Sequence, residues 1–136
     1  MDLRATCLHE SAHAIMALKA LTPALSVTVT IREDGGSCLR DGPQLTWAEH
    51  VVYVAAGGIV DRFLDHDHLD SSTDRQKLLE AKCHFSSSAV YETILRMCER
   101  EIMANAPEIL KLARYMEKRS PGIFILNNRD APWQRQ

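Results

Sequence analysis

No stretch of the 136 residues approaches the roughly 20 consecutive apolar positions of a membrane-spanning helix. The start, Met1-Asp2-Leu3-Arg4, lacks the charged-then-apolar layout of a signal peptide. Basic residues are not in excess either: 16 Lys and Arg face 18 Asp and Glu, a formal net charge of -2. Nothing therefore draws the chain to nucleic acid or to an anionic membrane surface. The four cysteines, Cys7, Cys38, Cys83 and Cys98, form no C-x-x-C pair. In apolar surroundings they read as reduced, buried thiols rather than a disulfide framework, which points to the cytoplasm. No G-x-x-x-x-G-K-[ST] is present, so no nucleotide-driven motor is expected within the chain. Internal repeats and low-complexity segments are also missing. What remains is 46% hydrophobic and 25% charged residues, ordinary for a soluble domain with one core.

Against that plain background one stretch stands out: His9-Glu10-Ser11-Ala12-His13. The region from Asp2 to Leu21 has no Gly or Pro and is rich in Ala, Leu and Met, so it predicts a helix that ends at Thr22-Pro23. On a helix a step of four residues returns to the same face, so His9 and His13 can bind one metal ion together. Glu10 then lies beside them, within reach of a proton on an activated water. This is the H-E-x-x-H arrangement of zinc metallopeptidases. It supplies two ligands, and a catalytic zinc takes a third from elsewhere. Glu49, His50, the His66/His68 pair, Asp74, Glu80 and His84 are all candidates.

After the helix, Leu25, Val27, Val29 and Ile31 alternate with polar residues and predict a strand. Asp34-Gly35-Gly36 predicts a tight turn, and Ser37-Cys38-Leu39-Arg40 the returning strand. Thr46 with Glu49 forms a capping-box pattern for a second helix, whose centre carries Gly57-Gly58. Two glycines there cost about 1 kcal/mol each against alanine, tolerable where another helix crosses closely. A third helix is expected from Ser71–Asp74 to about Phe85, with Leu78, Leu79, Ala81 and Cys83 inside. Val90, Ile94, Met97, Cys98 and Ile102 predict one face of a fourth. Asn105 is placed to cap a fifth, with Ile109, Leu112, Ala113 and Met116 inward. The fold class is α+β, mainly helical with one small hairpin. Residues 1–122 form the domain, and 123–136 a C-terminal tail that frays over its last eight or so residues.

The order of these features resembles the zinc peptidase domain of the FtsH-type AAA+ proteases. That family has an H-E-A-G-H-A helix, a V-T-I strand, a helix with a glycine pair, and then an S-N-D-L-like segment. The matching pieces are His9-Glu10-Ser11-Ala12-His13-Ala14, Val27-Thr28-Val29-Thr30-Ile31, Ala56-Gly57-Gly58 and Ser72-Thr73-Asp74-Arg75. The resemblance implies zinc held by His9, His13 and Asp74, with Glu10 as the catalytic base. It implies that Ser37, Cys38, Leu39 and Arg40 form an edge strand that receives peptide substrate. The chain departs from the family where an acidic residue is usual after the glycine pair: Arg62 stands there, with Asp61 one place earlier. The run before Asp74, Asp70-Ser71-Ser72-Thr73, also differs. With no ATPase module, the expected activity is ATP-independent hydrolysis of flexible polypeptide. Folded substrates would need a separate ATPase or adaptor partner. A monomer, a dimer and a ring are all compatible with the resemblance. The competing expectation is a degenerate peptidase kept as a zinc-binding regulatory or interaction module.

Overall fold

The computed structural model describes residues 2–63 and 72–135. The His66/His68 candidates lie outside the described residues. Helix α1, Leu3–Lys19, opens on Asp2, whose side chain accepts from the Ala5 N–H. Every residue of α1 from Ala5 to Leu18 is buried. Small residues on all its sides make this possible, because Ala, Ser, Thr and Cys let neighbours close in around the axis. The His9-Glu10-Ser11-Ala12-His13 stretch thus belongs to a helix whose side chains are buried along most of its length.

Strands β1 (Ser26–Arg32) and β2 (Gly35–Asp41) form the expected hairpin, with Val29 opposite Cys38. Val27, Val29 and Ile31 are buried against the helices. Leu25, expected to extend that apolar row, precedes the strand and is exposed. Helix α2, Trp47–Phe63, begins with the capping box: the Glu49 N–H donates to Thr46 Oγ1 at 3.2 Å, and the Thr46 N–H to Glu49 Oε1 at 3.0 Å. It packs along α1, as the glycine pair leads one to expect. Helix α3 is Ser72–Lys82, α4 is Ser88–Ala104 and α5 is Ala106–Arg119.

Several expectations are corrected here. Leu79 and Cys83 are exposed, because α3 touches the core only through Ala81 and the partly buried Leu78. In α4 the inward residues are Tyr91, Cys98 and Ile102, while Val90 and Met97 face out. Asn105 does not cap α5 with its side chain, which turns back to donate to the Glu101 carbonyl at 2.8 Å. The inner face of α5 is as expected, with Ile109, Leu112, Ala113 and Met116 buried.

The segment 123–135 is not a frayed tail. Gly122–Leu126 forms strand β3, antiparallel to β1, with Phe124 opposite Val29. The sheet order is β2-β1-β3, so β1 is its centre. Pro132–Arg135 then makes a 3-10 turn that buries Trp133. Between them, Asn128 Nδ2 donates to the Leu18 carbonyl at 2.9 Å and ties off the end of α1. The architecture is α+β and mainly helical, with five α-helices and a three-stranded antiparallel sheet among the described residues. No helix among them is long and apolar enough to cross a membrane.

Candidate metal centre

Three elements meet at His9 and His13. Helix α1 provides both histidines and Glu10, α2 crosses against them, and the first turn of α3 brings Asp74. The crossing depends on one glycine. A Cβ at Gly57 would lie 2.5 Å from His9 Nε2 and 2.6 Å from His13 Nε2, closer than real atoms approach. Gly58 faces open space, so the two glycines are not equivalent.

The histidine rings are held from behind. His13 Nδ1 donates to the Tyr53 carbonyl at 2.8 Å. His9 Nδ1 lies 2.8 Å from Asp61 Oδ2, and both groups are buried. Carbonyl and carboxylate oxygens only accept here, so each neutral ring carries its proton on Nδ1 and presents a lone pair at Nε2. The two Nε2 atoms are 3.2 Å apart. Asp74 Oδ2 lies 3.3 Å from that of His9 and 3.2 Å from that of His13. Three lone-pair atoms thus converge on one point, an arrangement that repels itself unless a cation or proton lies among them.

His9, His13 and Asp74 could hold a metal ion. A cation bound tetrahedrally at about 2.0–2.1 Å has ligand atoms about 3.3 Å apart, and the observed triangle has those edges. Orienting partners behind ligating histidines, here Asp61 and the Tyr53 carbonyl, are the usual companions of such a set. Without an ion, protons take the role. Burial opposes charge on His9, but hydrogen bonding to Asp61 and Asp74 outweighs it and pushes its pKa up to about 10. Burial likewise opposes charge on Asp74, yet His13 and His9 hold its carboxyl well below the usual carboxylate range.

No family model matches the sequence. No curated protein matches it.

Glu10 is the remaining polar group at the centre. Its Oε1 lies 3.7 Å from His9 Nε2. Its Oε2 is buried and has no hydrogen-bond partner among the described residues. A buried acceptor without a partner costs on the order of 1–3 kcal/mol, so it marks a place where a ligand or water belongs. Burial raises the Glu10 pKa, with His13 and His9 pulling the other way. Strand β2 passes directly over it: a Cβ at Gly36 would meet Glu10 Cγ at 3.0 Å.

The centre opens into a cleft of about 670 Å³ lined by Ser37, Cys38, Leu39, Tyr53, Thr73 and Lys77 among others. Of the expected substrate residues, Ser37, Cys38 and Leu39 line it, and Arg40 does not. The Arg40 guanidinium is drawn away to the carbonyls of Pro43 at 2.6 Å and Thr22 at 3.1 Å. Glu49, another third-ligand candidate, is committed to the α2 cap and the Thr22 N–H. His84 stacks on Trp47 with ring centroids 3.7 Å apart, and His50 meets the same indole edge-on.

Reading the sequence missed Tyr53 and the part played by Asp61. Tyr53, Gly57 and Asp61 recur every four residues and so share one stripe of α2. A lone acid at the end of such a stripe, on a helix otherwise apolar inside, was the available signal.

Proposed function

We propose that this chain is a zinc metallopeptidase that hydrolyses peptide bonds in flexible polypeptide without ATP. The observation that carries the reading is the convergence of His9 Nε2, His13 Nε2 and Asp74 Oδ2 beside a buried glutamate with an unpartnered oxygen. Two histidines and a carboxylate are a donor set that catalytic zinc uses, with its fourth position kept for water or substrate. When bound, zinc supplies Lewis acidity: it lowers the pKa of water towards 7 and polarises a carbonyl oxygen.

The residues divide the remaining work. Asp61 and the Tyr53 carbonyl fix the two imidazoles with Nε2 turned inward. Glu10 takes the proton of the attacking water and passes it to the departing amine nitrogen. Its burial favours the protonated form and so eases the first of these transfers. The free edge of β2 holds the peptide extended through main-chain hydrogen bonds. Folded substrates would reach such a cleft only through a separate ATPase or adaptor.

Metal analysis and casein cleavage test the reading together. The purified protein should carry about one zinc per chain, and His13→Ala and Asp74→Asn should lose it. Glu10→Gln should keep zinc and lose cleavage about 10²–10⁴-fold. Zinc near zero in the unmutated protein would sink the proposal. Full zinc in Asp74→Asn would move the third ligand elsewhere.

One observation favours a second reading, a metal-holding interaction module without turnover. The Cys38 carbonyl, on the strand that would receive substrate, already accepts a hydrogen bond from the Tyr53 hydroxyl at 3.1 Å. Zinc-loaded unmutated protein that binds β-casein without cleaving it would establish that alternative.

A further inference from the structure

The contact between Tyr53 and Cys38 joins the two halves of the site. The hairpin register fixes which backbone groups of β2 are free. The Asp41 carbonyl accepts from the Leu25 N–H at 2.8 Å and so faces β1. Because an antiparallel ladder alternates, Ser37 and Leu39 also turn their backbone groups to β1, and Gly36, Cys38 and Arg40 turn theirs to the open edge. Cys38 is the middle residue of that open set. Its side chain lies on the same side of the sheet as the buried Val29, its partner across the ladder, towards the helices.

Tyr53 reaches this point from α2. Its hydroxyl donates to the Cys38 carbonyl at 3.1 Å and lies 3.6 Å from Cys38 Sγ. The same residue's carbonyl accepts a hydrogen bond from His13 Nδ1, and its ring meets the His13 ring edge-on at 5.7 Å. A phenol is protonated at neutral pH and so is a donor, whereas the carbonyl can only accept. One side chain thus caps the central acceptor of the open edge while its main chain orients a residue of the metal centre.

The geometry points to Tyr53 as a gate on the substrate edge: its hydroxyl already bonds the Cys38 carbonyl, and the N–H of an incoming peptide strand competes with it for that acceptor. This rests on the peptidase reading, and specifically on strand addition at β2. The exchange is one neutral hydrogen bond for another, so the gate lowers peptide affinity without blocking the cleft. It discriminates against strands too short to repay the exchange with neighbouring bonds at Gly36 and Arg40. Tyr53 is a positioning residue and takes no part in proton transfer.

The test uses the full chain carrying Glu10→Gln, so that peptide is not consumed, with fluorescein-labelled β-casein as the probe. Binding is measured by anisotropy in zinc-loaded and metal-stripped protein. Adding Tyr53→Phe should tighten binding about two- to tenfold in both forms, the effect of removing one competing neutral hydrogen bond. A second readout needs no change at Tyr53. The chain has three tyrosines, so selective ¹³Cζ labelling gives three resonances, with Tyr91→Phe and Tyr115→Phe to assign them. Casein should shift the Tyr53 resonance as its hydroxyl leaves Cys38, and leave the other two in place. Binding that is unchanged or weaker in a folded Tyr53→Phe protein overturns the gate. So does a Tyr53 resonance that does not move when casein binds; if Tyr53→Phe fails to fold, that resonance decides. Casein that binds neither protein removes the strand-addition reading and the gate with it, whereas casein that binds indifferently to Tyr53 removes the gate alone.

Discussion

Gly57 and Gly58 are adjacent and chemically identical, yet only Gly57 touches the histidines. A methyl group there would overlap both imidazoles, so α1 and α2 would have to separate and the Nε2 atoms with them. Gly57→Ala should therefore destabilise the fold by about 1–3 kcal/mol, as overpacking does, and weaken metal binding at least tenfold. Gly58→Ala meets nothing within 4 Å and should stabilise the helix by about 0.5–1 kcal/mol. Thermal melts with a chelator competition would separate the two, and equal effects would refute the close-approach account. The sequence alone suggested a helix crossing at this pair, and that crossing is present. It could not say which glycine serves it, because that depends on the rotation of α2 about its axis, set by packing.

At the scale of elements, the hydrogen-bonded caps and the periodic faces were the legible part. The Thr46–Glu49 box and the inner face of α5 follow from local chemistry, and both form as their residues predict. Two contacts far apart in the chain were not legible. Strand β3 looked like tail because four apolar residues after a helix stop carry no signal of their partner, and β1 lies some ninety positions earlier. Asp61 looked like a misplaced family feature, yet the stripe of Tyr53, Gly57 and Asp61 on α2 brings its carboxylate to His9. Its function there is to hold one tautomer and one ring angle. Asp61→Asn keeps the shape and removes the charge, so metal affinity should fall about 10–100-fold with the fold intact. Competition against a calibrated chelator would measure it. An affinity within twofold of the unmutated protein would show that Asp61 supports the fold and not the metal.

For the whole molecule, the three facing lone pairs couple stability to pH and to metal in opposite directions. In the metal-free protein His9 has its pKa raised to about 10 from an ordinary 6.5. A raised histidine contributes stability that is complete below its unfolded pKa and lost as pH climbs through the folded one. Between pH 6.5 and 9 the folded chain therefore holds up to one proton more at His9 than the unfolded chain. From His9 alone, stability should fall by up to about 1.4 kcal/mol per pH unit. Glu10, also raised, acts with the same sign from its ordinary range upward. Asp74, held low, contributes stability lost only in acid, and it is ionised in both states across this window. A metal ion held there would take the place of the shared proton, so its binding should release that proton and strengthen as pH rises. With metal at a hundredfold over its dissociation constant, linkage adds about 2.7 kcal/mol. That is on the order of 10 °C in Tm for a chain of this size. The gap in Tm between zinc-loaded and chelator-treated protein should thus widen from pH 6.5 to 9, with most of the change in the chelated sample. Calorimetry at half-unit intervals would show it. A gap that stays constant across the window would mean that proton and metal do not compete for one site, and the convergence of His9, His13 and Asp74 would need another explanation.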